Sequence, residues 1–257
     1  MVLAVDIGNT NIKIGIFDGD MMVKSFKMST DAKRTSDEYR SMLLQLLADN
    51  NVEMSKIDGA IVSSVLPQLD YTFNHVINYT FGVKPVMVGV GVKTGLAIKY
   101  DFPRELGSDR IITSVACIHK YGAPFVLVDF GTATTYNVVN EKREFLGGCI
   151  TLGLKSTTES LARCTGKLPQ VELEIPQKAV GQSTVKAIQS GVIYGAVGQV
   201  KYLVDKLQKE TNLCGCKVIA TGGLSEIVNS VEPIFNHIDR NLSLIGLNCI
   251  YKLNCSK

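Results

Sequence analysis

The stretch Asp6-Ile7-Gly8-Asn9-Thr10 follows directly on the apolar run Val2-Leu3-Ala4-Val5. The same grammar returns at Asp129-Phe130-Gly131-Thr132-Ala133-Thr134, after Phe125-Val126-Leu127-Val128. In each case an apolar strand ends in a carboxylate, a glycine bends the chain, and small polar side chains follow. The strand fixes the carboxylate, Gly8 lets backbone N–H groups approach an anion, and Asn9 and Thr10 add short donors. Such a turn suits phosphate and metal. Setting Asp6 on Asp129 also sets Gly8 on Gly131, Asn9 on Thr132 and Ile14 on Asn137. The two carboxylates are separated by nearly half of the 257 residues, so the pattern predicts two similar lobes.

Each turn opens a three-stranded unit. Asn11–Phe17 alternates polar residues with Ile12, Ile14 and Ile16, Asp18-Gly19-Asp20 turns the chain, and Met21–Met28 returns. In the second half, Phe125–Asp129, Thr134–Val139 and Glu144–Ile150 repeat the arrangement around a turn at Asn140–Arg143. Helices flank both units. Thr35 and Glu38 have capping-box spacing before the stripe Tyr39, Met42, Leu43, Leu46 and Leu47. Ile57–Val65 reads as a buried strand, Pro67 opens a helix, and Val83–Val90 returns to strand. Ser108 can cap a helix whose core face is Ile111, Ile112, Val115 and Ile118. The longest helical pattern runs from Thr184 to about Thr211, with Gly191, Gly195 and Gly198 near one face. Glycines cost about 1 kcal/mol each inside a helix, so this face is expected to pack closely, against a sheet or a partner subunit. A strand from Cys216 to Ala220 leads into Thr221-Gly222-Gly223, and Leu242–Leu253 reads as a final helix. A βββαβ unit used twice implies two mixed sheets with flanking helices.

Composition removes several classes of function. The 27 basic and 24 acidic residues leave a net charge of +3 with no basic arm, which argues against nucleic acid as a partner. The apolar runs are too short to span a membrane, and the N-terminal run, broken by Asp6, lacks the basic leader of a signal peptide. Seven scattered cysteines, mostly within apolar segments, fit reduced, packed thiols and a cytoplasmic location. Cys214-Gly215-Cys216 has no partner cluster and reads as a turn. His75, His119 and His237 are too scattered for a metal site. No Gly-Lys-Ser/Thr phosphate loop and no Gly-x-Gly-x-x-Gly follows a strand. The three glycine turns at Asp6, Asp129 and Thr221 then describe a nucleotide site with cations. Between the repeats, residues 91–110 form a loop-rich insertion where a substrate site is expected.

Motifs along almost the whole chain carry a closer resemblance. Asp6-x-Gly-Asn-Thr, Tyr100-x-x-Pro103, Gly107-x-Asp109-Arg110, Asp129-Phe-Gly-Thr-Ala-Thr, Gly147-Gly148-x-Ile150, Thr184-x-x-Ala187-Ile188-Gln189-Ser190-Gly191 and Thr221-Gly222-Gly223 occur in this order. The glycine turns resemble those of the acetate and sugar kinase, actin and heat-shock chaperone superfamily. With Gly-x-Asp-Arg and the Thr184 segment, the chain is similar to type III pantothenate kinases. The resemblance implies an α/β fold of duplicated ribonuclease H-like, actin-like ATPase domains: residues 1–112, carrying the substrate loop 91–110, and residues 113–257. It implies ATP-dependent phosphorylation of pantothenate on its primary hydroxyl, in a homodimer.

By matched position, Asp109 is implied as the general base, and Tyr100, Gly107, Ser108 and Arg110 as the pantothenate site, with Thr184 reaching in from a neighbouring subunit. ATP is assigned to Asp6, Gly8, Asn9, Thr10, Asn11, Lys13 and Thr132. A potassium or ammonium ion is assigned to Asp129, and Mg²⁺ accompanies ATP. The chemistry of the residues supports these roles. An acceptor hydroxyl needs a carboxylate within hydrogen-bond reach, and a planar guanidinium suits a substrate carboxylate or the transferring phosphoryl group. Strict alternation from Ile12 turns Lys13 to the polar face, where exposure to solvent competes with phosphate contact. Two positions depart from the family's usual pattern: Leu152 stands for a proline, which frees a backbone angle, and Ser183 for an asparagine. A sugar or acetate kinase of the same superfamily is one rival, although those carry larger acceptor domains and lack the Gly107–Arg110 arrangement. A regulatory protein that binds a nucleotide or pantothenate without catalysis is the other, and it has no need of Asp109.

Overall fold

A computed structural model describes residues 1–255. In chain order the strands and helices are β1 (Val2–Ile7), β2 (Asn11–Asp18), β3 (Met21–Ser29), α1 (Ser36–Asp49), β4 (Gly59–Ser64), α2 (Pro67–Phe81), β5 (Val86–Met87) and β6 (Ala97–Ile98). They continue with α3 (Ser108–Tyr121), β7 (Phe125–Phe130), β8 (Ala133–Val139), β9 (Glu144–Leu152), α4 (Leu154–Cys164), α5 (Thr184–Glu210), β10 (Lys217–Gly222), α6 (Ser225–Val231), β11 (His237–Ile238) and α7 (Leu242–Cys255). Two mixed sheets result, one in the order β3-β2-β1-β4-β5 and one in the order β11-β10-β7-β8-β9-β6. The expected α/β class, two mixed sheets with flanking helices, is what the chain forms.

Contacts divide the chain into two compact units. The first holds Met1–Leu96, Asp101–Tyr121 and the chain from Asn241 on; the second holds Ala97–Tyr100 and Gly122–Arg240. The expected break after residue 112 falls inside α3, which stays whole. The C-terminal helix, expected in the second lobe, joins the first unit, and the insertion 91–110 is shared between the units.

In the first unit β1 pairs antiparallel with β2 and parallel with β4. One face of this sheet buries Leu3, Val5, Ile7, Ile12, Ile14 and Ile16 against Tyr39, Leu43, Leu47, Leu69, Phe73 and Ile77 of α1 and α2. Burying a side chain of this size contributes about 1.5–3 kcal/mol. Thr35 and Glu38 form the expected reciprocal capping box at the start of α1, which stabilises it by about 1 kcal/mol.

The other face is where the sequence reading fell short. The polar face expected on β2 is closed at Gly15, where a side chain would run into Leu244 of α7. At Gly59 of β4, Tyr251 of α7 fills the space a side chain would take. At Gly246, α7 presses on the Ile112 carbonyl of α3. Covered by β4 and by α7, α3 buries residues all round, including Arg110, Thr113, Ser114 and Cys117. The strand expected over Val83–Val90 shrinks to Val86–Met87, paired with β4.

In the second unit the β7–β8 ladder sets Asp129 opposite Thr135 and Val128 opposite Tyr136, whereas in the first Asp6 faces Lys13 and Val5 faces Ile14. The structural counterpart of Ile14 is therefore Tyr136, not Asn137, because the β7–β8 turn is one residue shorter than the β1–β2 turn. The core face of this sheet packs Val126, Val128, Phe130 and Tyr136 against Ile188, Val192, Val200 and Val204 of α5. The close contact expected for the α5 glycines is absent on the sheet side. Gly191, Gly195 and Gly198 each look onto open space, and the first two border a cavity of about 290 Å³ above Thr134 and Tyr136. The cysteines are all free, but Cys164, Cys214 and Cys255 are exposed rather than packed.

Candidate active site

The first unit gathers its polar residues at the ends of β1 and β4. These strands run parallel, with Asp6 opposite Ser63, so both chains leave the sheet on the same side. Asp6 is only 8% exposed. Burial pushes its carboxyl above the usual carboxylate range; Lys13 and a hydrogen bond from Ser243 pull it back, and the nearby Asp109 carboxylate raises it further. A perturbed carboxylate with a charge partner is what functional sites are built from. Lys13 Nζ lies 4.0 Å from Asp6 Oδ2 and 3.5 Å from Ser243 Oγ. Alternation did place Lys13 on the face opposite Ile12, but α7 covers that face, and the side chain is left 29% exposed.

The turn after β1 is held from β3. Thr30 donates through its backbone N–H to Thr10 O at 3.0 Å and through its hydroxyl to Gly8 O at 2.7 Å. The Gly8 N–H donates to Asn11 O at 3.0 Å. In the second unit the Gly131 N–H likewise donates to Ala133 O at 3.1 Å. The amides of Gly8 and Gly131 themselves are therefore not the free N–H groups of these turns. Both are spent closing their turns, and Asn9, Thr10, Asn11, Gly131 and Thr132 are the exposed residues there.

The start of α3 is fastened to the end of β4. Ser63 Oγ lies 2.9 Å from Ser108 Oγ, which donates in turn to Ser64 O at 3.1 Å. Ser108 is thus the first helical residue rather than a side-chain cap, and the Gly107 carbonyl accepts from the Arg110 and Ile111 N–H groups. Asp109 folds back over Gly107: a β-carbon on residue 107 would stand 2.3 Å from Asp109 Oδ1. Glycine is the residue that leaves this carboxylate its position. Arg110 is 6% exposed, which rules out a surface arginine.

The second unit brings Asp129–Thr132 beside Thr221–Gly223. β10 pairs parallel with β7, setting Thr221 opposite Asp129 and Gly222 opposite Phe130. Gly222, at φ 94°, packs directly on the Phe130 carbonyl. On the other side, Thr132 O accepts from Gly153 N at 3.0 Å and from Ser156 Oγ at 2.8 Å, so α4 begins against this turn. Tyr100 meets Phe145 edge-on, with centroids 6.2 Å apart, and lies beside Gly147. Thr184, exposed at the start of α5, borders a cavity of about 820 Å³ with Leu161, Leu168 and Ile188.

Residues 2–206 match the type III pantothenate kinase family. The chain belongs to that family. Type III pantothenate kinases of Geobacillus sp. (strain WCH70) and Geobacillus kaustophilus (strain HTA426) are each 42% identical to it over 257 residues, covering 100% of this chain and 99% of theirs. A hexokinase of the ROK type from Thermus thermophilus superposes with a TM-score of 0.51 at 13% identity, over 97% of both chains, which shows a shared fold.

In this member of the type III pantothenate kinase family, both departures from the usual pattern are held by the fold. Leu152 lies within β9, which runs two residues beyond the expected Ile150, and pairs with Ala133 in the ladder. Ser183 caps α5, its hydroxyl accepting from the Lys186 N–H at 3.3 Å. Part of the Thr184 motif is structural: Gln189 donates to Glu172 O at 2.9 Å, and Ser190 donates to Ala179 O, tying the irregular chain before α5 to the helix. Ser63 and Ser243 were missed as site residues. The legible signal was a Ser-Ser pair ending an apolar strand; Ser243 had none.

Proposed function

We propose that this kinase transfers the γ-phosphoryl group of ATP to the primary hydroxyl of pantothenate, giving 4'-phosphopantothenate and ADP, the first step towards coenzyme A. The supporting observation is the Asp109 carboxylate folded over Gly107 at the head of α3 in a chain of this family. Asp109 accepts the hydrogen bond of the substrate hydroxyl and takes its proton as the new O–P bond forms. Phosphoryl transfer is largely loose, so orienting that hydroxyl matters as much as early deprotonation. Buried Arg110 presents a planar pair of donors to the pantothenate carboxylate or the transferring phosphoryl group. Gly107, Ser108 and Tyr100 line the same substrate, and Thr184 reaches it from a second copy in a homodimer.

ATP phosphates are held by Asp6, Gly8, Asn9, Thr10, Asn11 and Lys13 of the first turn and by Thr132 of the second. Gly8 contributes by closing its turn rather than by its amide. Asp129, a carboxylate near the end of β7, fits a potassium or ammonium ion, which supplies positive charge beside the phosphates. Among the described residues no group of three or more His, Cys, Asp or Glu is placed to hold a metal. That suits Mg²⁺, which keeps several waters and arrives with ATP rather than in a protein cage. Among the described residues no helix is long and apolar enough to cross a membrane, and a cytoplasmic location fits a kinase of this metabolite. The small net charge of +3 fits partners other than nucleic acid.

The test is an ADP-release assay with ATP and Mg²⁺, with and without potassium or ammonium, across pantothenate and other primary alcohols. Turnover is expected with pantothenate alone and is stimulated by the monovalent cation. Turnover of a sugar and none of pantothenate overturns the reading. Gly107→Ala tests the placement of Asp109. Its methyl would meet only a flexible carboxylate, so the fold is retained while the base is displaced, and kcat falls roughly 10²-fold. A kcat near the parent value would show that the carboxylate works from another position.

A further inference from the structure

The family match ends at residue 206, yet α7, which begins at residue 242, supplies a side chain to the phosphate-binding turn. We propose that Ser243 is a positioning residue for ATP, its hydroxyl holding the Lys13 ammonium beside the Asp6 carboxylate in the geometry that receives the phosphates. The inference rests on the assignment of the Asp6–Lys13 turn to ATP.

Three observations carry it. Lys13 and Asp6 are 4.0 Å apart, beyond hydrogen-bond distance, so their attraction alone does not orient the ammonium. Ser243, 3% exposed, stands beside the pair: its hydroxyl accepts from Lys13 Nζ at a long 3.5 Å and helps to pull the Asp6 carboxyl back towards its charged form. An ammonium has three donors, so after this contact it retains others for a phosphate oxygen. Finally, Ser243 is itself fixed. It sits in the first turn of α7, which is seated by Leu244 on Gly15, by Gly246 on the Ile112 carbonyl and by Tyr251 on Gly59. The same helix is packed against α3, two residues into which Asp109 lies, so α7 braces both the phosphate turn and the base.

The charged groups facing Asp6 are Lys13 from β2 and Asp109 from α3, and Ser243 is the neutral partner from α7. Removing the hydroxyl leaves the buried carboxylate with Lys13 as its favourable partner and with Asp109 opposing it. The carboxyl then holds its proton to higher pH, and the acidic limb of the activity profile moves upward. Lys13 loses its fixed orientation at the same time.

Ser243→Ala, measured with MgATP titrations in the absence of pantothenate and then by kinetics, is expected to weaken ATP binding and kcat/KM for ATP about tenfold. The KM for pantothenate and the thermal midpoint stay near the parent values, and Ser243→Thr, which restores a hydroxyl, recovers most of the loss. Ser243→Cys, of similar size but a weak hydrogen-bonding partner, gives the same loss and carries the test if the alanine variant does not fold. Parent-like ATP affinity in both variants overturns the proposal. So does a loss that accompanies a lowered thermal midpoint equally in the alanine, cysteine and threonine variants, which marks a packing role. Because ATP binding is read without the acceptor, a protein that binds ATP but does not use pantothenate sinks the proposed reaction and leaves this inference standing.

Discussion

Asp109→Asn is expected to bind MgATP with near-parent affinity and to lose turnover by roughly 10²–10⁴-fold. Asparagine has nearly the same shape, so it fits over Gly107 as the carboxylate does and leaves the Ser63–Ser108 fastening in place. What it lacks is the ability to accept a proton. The turn proposed to hold the phosphates is separate in sequence, and its Asp6 and Lys13 keep each other and Ser243 as neighbours. A like-charged neighbour of Asp6 is also removed, so ATP affinity is expected to hold or to rise slightly rather than fall. Single-turnover and equilibrium ATP measurements separate the two effects. A turnover within a few-fold of the parent would remove Asp109 as the base and return the question to the non-catalytic binder.

Gly246→Ala is expected to unfold the first unit at a markedly lower temperature. In an exposed helix this change gains about 1 kcal/mol from helix propensity. Here the new methyl would stand 1.8 Å from the Ile112 carbonyl oxygen and 2.6 Å from its carbon. Those are backbone atoms inside α3, and no side chain can swing aside. Overpacking of this kind costs about 3 kcal/mol or more, so the clash outweighs the propensity gain. A fall of about 5–10 °C in thermal midpoint follows for a chain of this size. Activity should fall as well, because α7 presents Ser243 and α3 presents Asp109. A variant as stable as the parent would show that the two helices separate without cost.

These two substitutions mark the edge of what the chain shows before it is folded. The Asp109 motif was legible because a short segment carries all of it: Gly107 must be small, Asp109 must be near it, and both lie within three residues. The strand–turn repeats were legible for the same reason, and so were the capping box at Thr35 and the apolar stripe of α1. Local spacing determines local geometry.

Other features depended on partners far away in sequence. A fixed offset set Ile14 on Asn137, and the register set it on Tyr136, because turn length decides which residue faces which. Gly8 suggested backbone N–H groups able to approach an anion. Only the closed turns showed that the amides of Gly8 and Gly131 themselves are already bonded, to Asn11 and Ala133. The glycines of α5 asked for a close neighbour, and the described chain places a cavity there instead.

The sequence by itself determined the two α/β repeats, the strand-end carboxylates and the Gly107–Arg110 segment proposed to carry the base, since each is written in residues a few positions apart. Only the tertiary structure decided that the last helix belongs with the first sheet. Gly15 and Gly59 are ordinary as letters, but they clear the sheet surface on which α7 lies, and Gly246 lets α7 itself close on α3. That docking turns Lys13 from a solvent-facing lysine into the partner of Asp6 and Ser243. Packing between elements some 230 residues apart fixed this, and no local period records it.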